Sequence, residues 1–297
     1  MTQKTENEYN TNAELFGFKI PENIRIVDGT QVCAFYPPRK RNTNKGDYGS
    51  TNIIAGSDKY IGAAVLAVEA ALKSGCGYVK LTSSEKVKLA LATKYPQTIF
   101  LDVYDLNSQS IAIGMGCGVS RNLYEQISFL AENYCGTLII DADGLNCISK
   151  YGLAVIKSSR PKIILTPHLK EFSRLTGKSV ETIAKQPIEA AQEFATRYGV
   201  TLLLKGAASV ITDGMETCVN ISGTTALAKG GSGDMLAGYM AGSAARGLSP
   251  FNAAVCSAYT MGVAAEISSR QKTDYCVTAR DVIDNLHLAV KCLTGQN

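Results

Sequence analysis

Residues 227–238 read "LAKGGSGDMLAG": four glycines, a lysine and an aspartate, followed by an apolar helical pattern. A tight turn into a helix would use some of these glycines. A nest of backbone N–H groups would use more of them. The first N–H groups of a helix lack intrahelical partners and its dipole is positive there, so an anion is stabilised at that end. Glycines let several N–H groups converge on a phosphate without side-chain clash. Asp234 beside such a nest is placed to take a proton from a hydroxyl attacking phosphorus. No G-x-x-x-x-G-K-[ST] occurs, so the segment is not a P-loop.

Four further stretches carry polar or glycine residues just after short apolar runs. Gly114, Gly116 and Gly118 follow "SIAI" but fail G-x-G-x-x-G, since Val119 stands where the third glycine belongs; a glycine-lined ligand approach and a plain turn both remain open. Asp141 and Asp143 follow "TLII". They would form a metal or acid/base pair only while the chain stays extended, and Asp143 reads better as a helix N-cap. His168 and Glu171 follow "KIIL" and Thr166-Pro167; His168 is one of two histidines, which excludes a histidine-rich metal site. A Ser-His-Asp triad lacks its G-x-S-x-G elbow. Lys205 and Gly206 follow "TLLL".

The elements that would carry these residues are legible. Continuous apolar strands alternating with helical patterns predict a doubly wound, mostly parallel sheet with helices on both faces, in which ligands bind beyond the carboxyl ends of the strands. The segment 208–222, "ASVITDGMETCVNIS", instead reads as a β-hairpin turning at Asp213-Gly214. Three helices are expected near 233–247, 250–270 and 278–293, with Ser179 and Thr278 as N-caps. Residues 1–24 read as a polar extension and 25–297 as one domain.

Composition removes other classes. A net charge of +4 on 297 residues, with acids and bases interspersed and no tryptophan, gives no basic stripe or stacking platform for nucleic acid. Nine cysteines without a C-x-x-C pair read as reduced thiols in a cytoplasmic protein, not a disulfide or zinc framework. The N-terminus has no apolar core of a signal peptide, and the uncharged stretch 251–265 contains Asn, Ser and Thr and is too short to cross a membrane.

The glycine stretch "GGSGDMLAG" (230–238) resembles the GxGD anion-hole signature of the ribokinase-like superfamily. The chain as a whole is similar to the ADP/ATP-dependent NAD(P)H-hydrate dehydratases. The similarity runs in order through "NKGDYGSTNIIAGSDKYIGAAVLAVEAALKSGCGYVKL" (44–81), "AIGMGCG" (112–118), "IIDADGLN" (139–146), "ILTPHLKEFSRLTG" (164–177), "LLLKGAASVITDG" (202–214) and the glycine stretch.

The resemblance implies a ribokinase-like three-layer α/β/α fold and a repair reaction. A nucleotide phosphoryl group turns the ring hydroxyl of hydrated NADH or NADPH into a leaving group, and elimination restores the dihydropyridine. It implies Asp234 as base, with the N–H groups of Gly231, Ser232 and Gly233 as the oxyanion hole. Hydrate-binding positions fall on Ala63, Gly116, His168 and Asp234, and nucleotide positions on Lys205, Gly206, Ala207, Ala208, Ser209 and Gly233. Glu171 sits where superfamily kinases keep an acid that organises Mg²⁺ through water. The resemblance further implies a homotetramer and, with about 40 residues ahead of the match, an NAD(P)H-hydrate epimerase that is a separate protein or absent.

Departures are "NKG" for "HKG", "GMG" for "GPG", and "TTALAKGGSGD" for "NPGLATGGTGD". Lys229 is expected to add positive charge beside the anion hole. "TPH" rather than "TPN" resembles the bacterial members, which use ADP. A small-molecule kinase of the same superfamily, of hydroxyethylthiazole, hydroxymethylpyrimidine or pyridoxal type, would share the glycines and Asp234. A non-catalytic nucleotide-binding protein would not need to keep Asp234.

Overall fold

Ten strands form one sheet in a computed structural model that describes residues 16–157 and 159–295. They are β1 (Arg25–Ile26), β2 (Ser50–Ile54), β3 (Tyr78–Thr82), β4 (Ile99–Leu101), β5 (Ser110–Ile113), β6 (Thr137–Ile140), β7 (Lys162–Leu165), β8 (Thr201–Leu204), β9 (Ser209–Thr212) and β10 (Thr217–Asn220). Their spatial order is β1-β10-β9-β8-β7-β6-β5-β2-β3-β4. Only β9 runs antiparallel, to β8 and β10, which makes 209–220 the expected hairpin. Two short strands escape the sequence reading: β1 and β4 are the sheet's edges and span only two and three residues, too few for a hydrophobic period.

The helices that bear on the site are α1 (Ile61–Lys73), α2 (Glu85–Ala92), α3 (Arg121–Asn133), α4 (Asp143–Tyr151), α5 (Leu169–Thr176), α6 (Pro187–Tyr198), α7 (Ser232–Ala245) and α8 (Pro250–Lys272). Successive strand residues point to opposite faces, so each central strand feeds two cores. Ile111, Ile113, Leu138 and Ile140 pack under α3 to α6, whereas Ala112, Ile139, Ile164 and Leu203 pack under α1, α7 and α8. The result is the three-layer α/β/α sandwich expected. Ile111 is fully buried, and truncation to Ala at such a site costs about 2–5 kcal/mol.

The last helical stretch divides at Asn285 into Ala279–Asp284 and Leu286–Thr294, with Thr278 capping the first in a capping box. Ser179 likewise caps Val180–Lys185. Of the residues expected as a polar extension, Ile20 is buried and Phe16 and Phe18 pack against the same core.

α7 lies unusually close to α1. A Cβ on Gly238 would stand 2.0 Å from the Ala67 carbonyl oxygen, and one on Gly242 would stand 1.9 Å from Ser74 Oγ. Glycine at these positions removes the side chains that would hold the helices apart, and so fixes where α7 delivers its first turn. The chain reverses direction across the sheet between β5 and β2. In open α/β sheets such a switch point is where loops diverge and leave a crevice.

Candidate active site

Gly231, the N-cap of α7, has φ +93°, a left-handed conformation that glycine adopts without strain. A Cβ there would meet Leu66 of α1 at 2.4 Å, so the turn is pressed against α1 as well. The N–H of Ser232 bonds back to Lys229 O at 3.3 Å, and that of Met235 bonds to Gly231 O at 3.1 Å. The N–H groups of Gly233 and Asp234 meet no acceptor among the described residues. Of the donors expected at Gly231, Ser232 and Gly233, that of Ser232 is thus engaged and that of Gly233 is open.

Gly233 faces an ion pair. Its missing Cβ would lie 3.4 Å from both Asp141 Oδ2 and Lys205 Nζ, and Lys205 donates to Asp141 Oδ1 at 3.0 Å. The Asp141 side chain is 2% exposed and that of Lys205 22%. Burial alone would lower the lysine, but the Asp141, Glu171 and Asp234 carboxylates outweigh it and hold Lys205 above its ordinary value. Asp234 is pushed up to about 6, by burial first and then by Asp141, against the pull of Lys205. A carboxylate tuned to that range suits a general base near neutral pH.

Asp141 is the residue that the sequence reading undervalued, and Ala142 explains why. Ala142 adopts φ 50°, ψ −117°, a conformation that costs a non-glycine residue about 1–3 kcal/mol. The kink sends Asp141 to Lys205 while Asp143 accepts the Gly118 N–H at 2.7 Å. Asp143 is therefore not the N-cap of α4, as expected; Ala142 holds that position and Asp143 begins the helix. The two carboxylates do not form a pair.

His168 and Glu171 start α5 as a reciprocal cap. His168 Nδ1 accepts from the N–H groups of Lys170 (3.1 Å) and Glu171 (3.3 Å), and Glu171 Oε2 accepts the His168 N–H at 2.8 Å. This leaves the ring proton on Nε2. Burial and Lys205 lower the His168 pKa, and burial raises that of Glu171. His168 also bridges Lys205 across the ends of β7 and β8, with Lys205 N–H on Pro167 O at 2.8 Å. Thr166 Oγ1, at the end of β7, is buried with no partner among the described residues. An orphaned hydroxyl in this position is what a ligand or water site leaves behind.

Ala63 and Gly116 come together at the switch point. Gly116 has φ +65°, and a Cβ on it would stand 2.7 Å from Ala63 Cβ. Ala63 lies one turn before Leu66 on α1, so this contact adjoins Gly231. On the other side of Lys205, Gly206 and Ala207 are exposed, Ala208 is buried, and Ser209 Oγ donates to Gly206 O at 3.4 Å. Lys229 corrects an expectation. Its ammonium turns away from the nest and donates to the carbonyls of Asp274, Tyr275 and Val277 at 2.6–2.9 Å. Among the described residues no three His, Cys, Asp or Glu side chains cluster as a metal cage.

A family model described as NAD(P)H-hydrate dehydratase matches residues 51–287. The bifunctional NAD(P)H-hydrate repair enzyme of Thermofilum pendens is 31% identical over 291 residues, covering 92% of this chain and 55% of that protein. The chain thus spans about half the length of the bifunctional relatives it matches. The ADP-dependent (S)-NAD(P)H-hydrate dehydratase of Listeria monocytogenes is 29% identical, covering 90% of this chain and 97% of that one. The ADP/ATP-dependent NAD(P)H-hydrate dehydratase of Bacillus subtilis, co-crystallised with ATP/Mg²⁺, superposes with a TM-score of 0.83 at 28% identity, covering 92% of this chain and all of that one.

Proposed function

The chain belongs to the NAD(P)H-hydrate dehydratase family, and on that premise we propose that it dehydrates hydrated NADH and NADPH at the expense of a nucleotide phosphoryl group, ADP being the donor. The observation that carries this reading is Asp234 at the first turn of α7, held at about 6 beside the open N–H of Gly233 and above the Asp141–Lys205 pair. The ring hydroxyl of the hydrate attacks the terminal phosphorus of ADP while Asp234 takes its proton, and the bridging P–O bond breaks to release AMP. The N–H groups of Gly231, Ser232 and Gly233 serve as the oxyanion hole for the transferring phosphoryl oxygens, although the Ser232 N–H must first leave its bond to Lys229 O. The carbon–oxygen bond then breaks with phosphate as leaving group, the ring nitrogen's lone pair assisting, and loss of a proton from the adjacent ring carbon restores the dihydropyridine.

The hydrate lies against Ala63, Gly116 and His168, and the nucleotide against Lys205, Gly206, Ala207, Ala208, Ser209 and Gly233. His168, neutral and protonated at Nε2, donates to the hydrate. The residues fit Mg²⁺ as a hydrated ion: Asp141, Glu171 and Asp234 outnumber Lys205 in charge, and Glu171 keeps Oε1 outside its cap. Mg²⁺ supplies charge neutralisation of the phosphates when bound; Glu171 orients it through water. The protein works in the cytoplasm as a homotetramer, alongside an epimerase that supplies the correct hydrate epimer. No helix among the described residues is long and apolar enough to cross a membrane.

The test mixes the purified protein with NADH hydrate, Mg²⁺ and either ADP or ATP, and follows the near-ultraviolet absorbance of the dihydronicotinamide. A nucleotide-dependent rise supports the reading, and the faster nucleotide is the donor. No rise, with nucleotide still hydrolysed, moves the protein to the small-molecule kinases.

A further inference from the structure

A cavity of about 380 Å³ opens where β2, β3, β4 and β5 end, between the first turn of α3 and the segment after β4. It lies outside the Asp234–Lys205 crevice, yet it adjoins it. Its wall includes Gly56 and Cys117, and the Gly56 N–H bonds Met115 O at 2.7 Å. Gly116, between Met115 and Cys117, packs against Ala63 on its other side. The cavity and the Ala63 contact are therefore neighbours across a single loop, both at the β5–β2 switch point.

The lining has a defined chemistry. Gln126 Nε2 donates to Asn122 Oδ1 at 2.6 Å, one turn apart on α3. That bond orients both amides and leaves Asn122 Nδ2 as a donor and Gln126 Oε1 as an acceptor, neither with a partner among the described residues. A neighbouring donor and acceptor is the complement of the adenine edge, where a ring nitrogen accepts and the exocyclic amine donates. Tyr104, tilted on Phe129 with centroids 5.6 Å apart, and Val103, 72% exposed, offer apolar surface for the base. Asp102, held by Lys88 at 2.5 Å, stands at the rim as an acceptor for ribose hydroxyls.

We propose that this cavity takes the adenylate half of the dinucleotide substrate, so that the chain crosses the Gly116 loop with its nicotinamide half toward Asp234. The assignment rests on the dehydratase reading. The same adenine chemistry would also admit a separate adenine nucleotide, and the experiment distinguishes the two.

Asn122→Trp, which fills the mouth, and Gln126→Leu, which removes the acceptor, are compared with the parent protein. Turnover is measured with NADH hydrate and with the hydrate of reduced nicotinamide mononucleotide. Binding of the two unhydrated reduced nucleotides is measured by their own fluorescence, which needs no turnover. The dinucleotide-to-mononucleotide ratio of KM and of Kd is expected to rise about tenfold in both variants. Ratios that stay at the parent value overturn the proposal, and a shift confined to the KM for ADP assigns the cavity to a free adenine nucleotide instead. If the parent protein turns over neither hydrate, the dehydratase reading fails while the binding ratios still decide the cavity.

Discussion

Lys205 and Asp141 are 64 residues apart in the chain, yet Nζ and Oδ1 lie 3.0 Å apart directly beneath Gly233. The pair forms because β6 and β8 flank β7 in parallel, Ile140, Leu165 and Leu202 standing level, so Asp141 and Lys205 both follow the carboxyl ends of their strands on either side of β7. It gives the base of the crevice a fixed positive charge with its counter-ion buried, and Asp234 titrates in the field of both.

The two members of the pair are not equally dependent on each other. Lys205→Met is expected to destabilise by about 3 kcal/mol, because it leaves the buried Asp141 uncompensated, and Asp141→Asn by less, because Glu171 and Asp234 still face Lys205. The double variant is expected to lose about 1–3 kcal/mol less than the sum. Denaturant unfolding of the four proteins measures this, and additive losses would show that the pair is not coupled.

Asp234→Asn is expected to leave ADP affinity within a few-fold and lower kcat by about 10²-fold or more. Near-normal turnover by the variant would remove Asp234 from the role of base.

The pH dependence follows from the raised pKa. The base works ionised, so kcat/KM, which reports the free enzyme, is expected to rise with pH through about 6 and level off above it. Asp141→Asn removes a carboxylate that holds Asp234 up, and is expected to move that midpoint down. For stability the sign is reversed. The native state holds the Asp234 proton to a higher pH than the unfolded chain does, so the stabilising contribution is full below about pH 4 and lost as pH rises through about 6. At pH 7 the ionised group costs on the order of 3 kcal/mol, and Asp234→Asn is expected to raise Tm by a few degrees there and by less at pH 4.

Two glycines of one helix separate function from folding. A methyl on Gly233 would make ordinary contacts of 3.4 Å with Asp141 and Lys205, so Gly233→Ala is expected to fold normally and to bind ADP at least tenfold more weakly through crowding of the nest. Gly233→Val adds γ-carbons and is expected to bind more weakly still. On Gly238 the same methyl would stand 2.0 Å from a carbonyl oxygen of α1, and Gly238→Ala is expected to lose several kcal/mol. Thermal melts and ADP titration distinguish the two; unchanged ADP affinity in Gly233→Val would count against the nest.

Lys229→Ala is expected to cost about 1–2 kcal/mol and leave ADP affinity unchanged, because three loop carbonyls lose their shared donor while the nest loses nothing. A marked fall in ADP affinity would restore the ammonium to the nest.

The sequence by itself determined what short contiguous patterns can carry. Apolar runs such as "SIAI" and "TLII" specified strands buried on both faces, Asp213-Gly214 specified the hairpin, Ser179 and Thr278 specified helix starts, and the glycines before Asp234 specified an open first turn. Each depends on backbone conformation or on a hydrogen bond spanning a few residues. The tertiary structure alone decided where the charges are satisfied. The kink at Ala142 parted Asp141 from Asp143, strand register brought Lys205 to Asp141, and the 274–277 loop drew Lys229 off the nest. A charged side chain takes the partner that strand order and helix packing bring within about 3 Å, and across 45 or 64 residues of chain that partner leaves no local mark in the sequence.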